Sequence, residues 1–228
     1  MSGFSYPEWV GDFYPPKTKR EQMLAYYSSR FPTVEINMTF RRRIDAKTVE
    51  RWREVVGEDF RFAFKANAGI THYRRLVDAG DAVAAFLDAL KPMGTRTGPV
   101  LFQTREDMSF NESVVESFCA LLPSGWGYAF EPRHASFNTP EFDELLERHG
   151  VARCLNDDVF DTLDYRVTAP VAYFRFHRVD YSRTDIEQRA TLVRRVVDQG
   201  ADAYVYFAHE DNPESVRPAL AFQELLGR

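Results

Sequence analysis

Residues 33–40 read TVEINMTF, and the side chains' assignment to faces decides the fold. Val34, Ile36 and Met38 recur at period two and make one apolar face of a strand. Glu35 and Asn37 fall on the opposite face, yet nothing nearby reads as a solvent-facing strand. A carboxylate and an amide side by side on such a strand ask for a polar inner wall.

The same pattern returns along the chain. Strands are read at 60–67 (FRFAFKAN), 98–105 (GPVLFQTR), 127–134 (GYAFEPRH), 151–157 (VARCLND), 171–177 (VAYFRFH) and 203–210 (AYVYFAHE), seven in all. Helical patterns lie between most of them. In DAKTVERWREVVG, for example, Val49, Trp52, Val55 and Val56 form a stripe that Gly57 stops. Others are DAVAAFLDALKPMG, NESVVESFCALL, TPEFDELLERHG, DIEQRATLVRRVVDQG and a closing helix over 213–226, while ITHYRRL reads as a loop. Strands alternating with helices imply βαβ units and a parallel sheet. A doubly wound sheet expects a phosphate turn such as GxGxxG after an early strand, and the sequence has neither that nor GxxxxGK[ST]. Its strands would also be apolar on both faces. Here they are apolar on one face and polar or aromatic on the other, with the polar residues near the C-terminal ends. The expectation is one domain over residues 1–228, a TIM-type (β/α) barrel of parallel strands with an inward polar ring.

By parity the ring holds Glu35 and Asn37, Lys65 and Asn67, Gln103 and Arg105, Glu131 and Arg133, Arg175 and His177, then Tyr204 and Tyr206. VARCLND is ambiguous in phase, so Asn156 and Asp157 both stand. Lys65, Arg133 and Arg175 favour an anion, phosphate or carboxylate, with arginine supplying two-pronged geometry. Glu35 and Glu131 are the acid–base pair, and His177 is the proton carrier near neutral pH. Three cations suit the neutral sugar of a glycosidase poorly. A divalent metal held by Glu35, Glu131, Asp157 and a histidine is the third option, and no HExxH or clustered-ligand motif supports it. The bland reading pairs Glu35 with Lys65 and Glu131 with Arg175 as a packing layer. His72 and His134 stand near strand ends, and His209 follows the last strand. Phe4, Tyr6, Trp9, Phe13 and Tyr14 read as a stacking platform or as an anchor for the N-terminal segment.

Composition limits the partners. The 228 residues are 44% hydrophobic and 28% charged with net charge −5, and no polybasic run advertises nucleic acid or an anionic membrane. Cys119 and Cys154 lack CxxC spacing and read as reduced core thiols. No apolar stretch reaches the roughly 18 residues of a membrane span, and no signal-peptide pattern opens the chain, so a cytoplasmic location without cofactor or metal is expected.

Motifs across nearly the whole chain resemble the YecE-like family, a domain-of-unknown-function family (72) with a TIM-barrel fold. They are SGFSYPEW (2–9), FYPP (13–16), VEIN.TF (34–40), FAFKA (62–66), ITH (70–72), GPVLFQ (98–103), E.RH.S (131–136), YFRFH (173–177) and YVYF (204–207). The resemblance implies recurrent polar residues at Glu35, Asn37, Lys65, His72, Gln103, Glu131, Arg133, His134, Asp157, Arg175 and His177; it supplies no reaction. Family members usually carry an apolar strand just before SGFSY, so the first strand is expected to be absent, with an open edge that favours a partner or a homo-oligomer. Departures cluster at the mouth: RRRI after VEIN.TF, TRED after LFQ, and Pro132 and Phe137 where aromatics are usual. The first function expected is an enzyme acting on a small phosphorylated or carboxylated metabolite, with Asn37, Lys65, His72, Gln103, Arg133, His134, Asp157 and Arg175 binding it. The alternatives are a nucleic-acid or nucleotide-binding protein using Arg41 to Arg43, Arg74, Arg75 and Arg105, and a degenerate barrel serving as an interaction scaffold.

Overall fold

The computed structural model describes residues 1–160, 163–208 and 213–227; His209 lies outside them. Seven parallel strands pair in chain order, β1 (Thr33–Ile36), β2 (Arg61–Lys65), β3 (Thr97–Gln103), β4 (Tyr128–Glu131), β5 (Ala152–Asn156), β6 (Val171–Phe176) and β7 (Asp202–Phe207). They curl into a nearly closed barrel. Helices α1 (Arg20–Arg30), α2 (Ala46–Val55), α3 (Gly80–Leu90), α4 (Glu112–Ala120), α5 (Pro140–His149), α6 (Arg183–Asp198) and α7 (Arg217–Leu225) flank it. The α1 segment, REQMLAYYSSR, was not anticipated; its signal is the Met23, Leu24 and Tyr27 stripe, all buried.

Local sequence sets the boundaries. The β1 strand stops at Ile36, four residues short of the expected end, because Asn37 turns into the helical region and Met38–Phe40 make a 3-10 turn. Asp45 caps α2 through the Thr48 N–H, Asn111 caps α4, and Thr139 caps α5 with Pro140 at the first helical position. Ser182 and Asp185 form a capping box on α6. The ITH segment is one π-helical turn, Gly69–Tyr73, rather than a loop.

Two cores follow from the period-two alternation. Outward strand residues such as Val34, Phe62, Phe64, Val100, Phe102, Phe130 and Phe174 are buried under the helices. Each such side chain contributes about 1.5–3 kcal/mol by leaving water. The inward set is Ala63, Leu101, Ala129, Ala152, Cys154, Tyr173 and Tyr206. Small residues on β2, β4 and β5 leave room for the Tyr173 and Tyr206 rings, whose centroids lie 5.2 Å apart, so the lumen is filled rather than hollow.

Between β7 and β1 the chain's own N-terminal residues sit in the gap. The Ser2 N–H donates to the Phe207 carbonyl and the Glu35 N–H to the Met1 carbonyl, both at 3.1 Å. The Thr33 and Tyr206 hydroxyls meet across the same seam at 2.7 Å. Gly3 follows at φ 114°, where a Cβ would strike the Tyr6 ring, and the Tyr6 hydroxyl donates to the Ser2 carbonyl. Buried Trp9 packs on Phe13 and Tyr14, and Phe13 in turn packs on Tyr26, Tyr27 and Phe31, which gives the cluster the anchoring role. Among the described residues no helix is long and apolar enough to cross a membrane. Cys119 and Cys154 are both buried free thiols, and burial pushes Cys119 up to about 12.

Candidate functional site

The C-terminal ends of the strands carry one connected polar network. Arg175, at the end of β6, is its centre. Its two terminal nitrogens divide between the strands opposite, Nη1 donating to Glu131 Oε2 at 2.8 Å and Nη2 to Glu35 Oε1 at 3.1 Å. Both carboxylates are fully buried. Glu35 also accepts from the Ser2 hydroxyl at 2.8 Å, the Tyr173 hydroxyl at 2.7 Å and Asn37 Nδ2 at 3.2 Å. Glu131 accepts from Asn156 Nδ2 at 2.8 Å and Arg133 Nη1 at 3.2 Å.

These contacts fix the ionisation. Burial works to raise the Glu35 carboxyl, but Arg175, His177 and the Tyr173 and Ser2 hydroxyls together outweigh it and hold it down at about 2. Glu131 is likewise resisted by burial and lowered to about 2 by Arg175, Asn156, Arg133 and Gln103. Burial would favour losing the Arg175 proton, and the two carboxylates reverse that, so the guanidinium stays charged. Two ionised glutamates locked around one arginine are a poor source of protons near neutral pH.

The Ser2 hydroxyl, spent on Glu35, lies 3.1 Å from His177 Nε2. That geometry places the imidazole hydrogen on Nε2, donating to Ser2, and links histidine, serine and carboxylate in a chain. The backbone N–H of His177 is held by Asp157 Oδ1 at 2.7 Å.

A second group stands beside the network and is more open. Lys65 Nζ donates to Gln103 Oε1 at 2.7 Å and lies 4.4 Å from the centre of the Phe40 ring. Partial burial lowers its ammonium to about 8, with the Arg175 charge adding to the effect and Glu131 and Glu35 opposing it. His72 packs edge-on against the same Phe40 ring at 4.8 Å and shares its Nδ1 with the Thr71 hydroxyl. Burial and the Lys65 and Arg105 charges lower it too. Arg133 reaches outward to Glu106 Oε1 at 3.1 Å and keeps 22% of its side chain exposed.

The structure thus brings Glu35, Asn37, Lys65, Gln103, Glu131, Arg133, Arg175 and His177 into one mouth, with His72 at its edge. It does not bring Asp157 or His134 there. Within VARCLND, Asn156 is the inward residue. Asp157 turns to the helix side, where Arg189 of α6 grips it with Nε at 2.7 Å and Nη2 at 2.5 Å and Tyr181 donates a further bond. His134 caps the 3-10 turn Ala135–Phe137 by accepting from the Ser136 N–H. Asn67 is spent on the backbone, donating to the Thr39 and Phe40 carbonyls and accepting from the Gly69 N–H. Of the other basic residues, Arg75 and Arg105 both pair with Asp107. Ser2 and Tyr173 were not singled out from sequence; Tyr173 shares its parity with Arg175 and was legible there. Among the described residues no three His, Cys, Asp or Glu side chains cluster as metal ligands would.

The family model described as protein of unknown function DUF72 matches residues 1–228. The UPF0759 protein YecE of Escherichia coli (strain K12) is 30% identical over 169 residues, 73% of this chain and 60% of that protein. The UPF0759 protein YunF of Bacillus subtilis is 37% identical over 78 residues, 34% of this chain and 28% of that protein. The chain therefore spans about 60% of the length of the YecE protein it matches. A crystal structure of a DUF72 family protein from Thermotoga maritima superposes with a TM-score of 0.88 at 25% identity, covering 100% of this chain and 98% of that one. Another, from Enterococcus faecalis, shares the fold with a TM-score of 0.79 at 20% identity, covering 92% and 96%.

Proposed function

The chain belongs to the DUF72 family, and from that premise we propose that its barrel mouth binds a small phosphorylated or carboxylated metabolite and acts on it by proton transfer. The observation that carries this reading is an imbalance of charge. Three cations, Lys65, Arg133 and Arg175, meet two buried carboxylates of the wall, both spent on arginine, and the one further carboxylate on these cations, Glu106 on Arg133, stands exposed at the rim. Among the described residues Lys65 has no carboxylate partner, only an amide oxygen and a ring face. A cation surplus inside a partly dry mouth is relieved by an anion, and Arg133 with Lys65 at the open side would receive it. One buried donor, Arg175 Nε, has no partner among the described residues and fits the same reading, while the unpartnered Asn37 Oδ1 is an acceptor that calls for a donor such as a substrate hydroxyl.

In this proposal Glu35 and Glu131 are fixed negative charges, holding Arg175 upright and orienting His177 through Ser2. His177 moves the proton. Asn37, Gln103 and Arg175 form the wall against which the substrate sits. His134 and Asp157 contribute by shaping the loops after β4 and β5.

A second reading has one observation in its favour: Arg41, Arg42 and Arg43 are exposed, and Arg42 lines a cavity of about 610 Å³ with Phe4, Tyr6, Asn37 and Trp52. That is a surface for phosphates and stacked bases. One thermal-shift panel separates the two. Inorganic phosphate, sugar phosphates, 2-oxo acids and a short oligonucleotide are each tested at low and high salt. The metabolite reading expects a small anion to stabilise the protein with weak salt dependence, because a buried site is screened less. A shift from the oligonucleotide alone, collapsing as salt rises, overturns it in favour of the second.

A further inference from the structure

Lys65 differs from every other cation of the mouth. Arginine cannot give up its proton in a protein, whereas lysine can, and a lysine set among cations and removed from water is the usual form of a nucleophilic amine. Arg175 and Arg133 are held by carboxylates, and Arg105 by Asp107. Among the described residues Lys65 forms no ion pair. Its ammonium hydrogen goes to a neutral acceptor, Gln103 Oε1 at 2.7 Å, and the Phe40 ring covers it at 4.4 Å. It projects from the end of β2, at the barrel face where substrates enter, and is only partly buried. His72 leans on the same Phe40 ring and is a second titratable group at the place where a proton must move.

We propose that Lys65 is a nucleophile that forms an imine with the aldehyde or ketone carbon of a substrate carrying a carboxylate or phosphate. The Nζ lone pair attacks the carbonyl carbon, and the carbonyl oxygen takes up a proton to give a carbinolamine. Nitrogen then releases a proton and the hydroxyl, protonated in turn, leaves as water while the carbon–nitrogen double bond forms. Amine plus carbonyl gives imine plus water, with no oxidant, reductant or third reactant. His72 carries the proton from nitrogen to the departing oxygen. The inference rests on the anion reading for the substrate's charge, with Arg133 as its anchor, and not for the carbon–nitrogen bond.

The test is reductive trapping. The full chain is incubated near neutral pH with cyanoborohydride and one of three probes: pyruvate, glyceraldehyde 3-phosphate or neutral propanal. Adducts are located by peptide mass spectrometry. The chain has five lysines, and Lys17, Lys19, Lys47 and Lys91 are exposed internal controls. Lys65 is expected to label at least about tenfold faster than these four, because its lowered pKa leaves more free amine. K65R, which keeps the charge, is expected to lose that adduct while its melting temperature holds. Equal labelling of all five lysines, or no Lys65 adduct from any probe, overturns the imine. Labelling by propanal as fast as by pyruvate keeps the imine and removes the anion reading. Anions that stabilise the protein without a trapped adduct do the reverse.

Discussion

Replacing Arg175 by methionine tests the ionic centre of the barrel. The side chains are similar in bulk, so the change removes charge and hydrogen bonds more than volume. At neutral pH the wild-type network stabilises the fold through both glutamates. A carboxyl held at about 2 rather than its ordinary value near 4.5 represents about 3 kcal/mol of folding free energy. Arg175 is the leading favourable cause for each, so the two contributions overlap and do not add. Removing one partner of a buried ion pair costs about 3–5 kcal/mol, and R175M is expected to lose that much near pH 7.

The pH dependence has a definite sign. In wild type both folded-state pKa values are depressed, so the stabilisation is present above about 4.5 and is lost as pH falls toward 2. Stability near pH 5 is therefore close to that near pH 7. In R175M burial prevails and the carboxyl pKa rises above its unfolded value. The variant then takes up a proton on folding, and its penalty shrinks as pH falls from 7 to 5. Urea denaturation of both proteins near pH 7 and near pH 5 measures this directly. A deficit below about 1 kcal/mol, or one of equal size at both pH values, refutes the reasoning.

The remaining expectations concern other parts of the same network. D157N removes the nearer carboxylate from the buried Arg189 guanidinium, leaving only Asp185 at 3.7 Å, and should cost about 3 kcal/mol; chemical denaturation reads it, and binding of small anions by the surviving folded protein should be unchanged. T33V removes the hydroxyl contact to Tyr206 across the β7–β1 seam and should cost about 1–3 kcal/mol, seen as faster amide exchange in β1. S2A deprives both Glu35 and His177 of a partner; it should lower stability by about 1–3 kcal/mol, and turnover of a substrate once one is found should fall with kcat more than with KM.

Much of this was legible because strand side chains alternate. Parity alone put Glu35, Lys65, Gln103, Glu131 and Arg175 on one wall, and all five are there. It could not reach His72, which sits on a π-helical turn; its place just after the Lys65 strand and the motif resemblance pointed to it. Parity broke down where strands ended sooner than their apolar pattern suggested. Asn37 and Arg133 lie past the last paired residues of β1 and β4, and their positions follow from turns. VARCLND could not be phased because the deciding partner, Arg189, is a charged residue on the buried face of a distant helix, and periodicity reads such a residue as solvent-facing. The expected gap beside β1 is partly covered by Met1 and Ser2 through backbone bonds, and backbone pairing leaves no trace in side-chain pattern. The pairing of charges was also out of reach: the packing reading joined Glu35 to Lys65 and Glu131 to Arg175, whereas in the structure Arg175 takes both carboxylates.

The central claim is that the mouth holds a small anion through Arg133 and the surplus cation beside it. Calorimetric titration of inorganic phosphate and of pyruvate into wild-type protein and into R133Q tests it most directly, since Glu131 keeps Arg175 and Asn156 when Arg133 is lost. One anion should bind wild type at a single saturable site, and at 100 times its Kd raise the unfolding free energy by about 2.7 kcal/mol, while R133Q binds at least about tenfold more weakly. Equal binding to both proteins, or no heat from either anion in wild type, would contradict it.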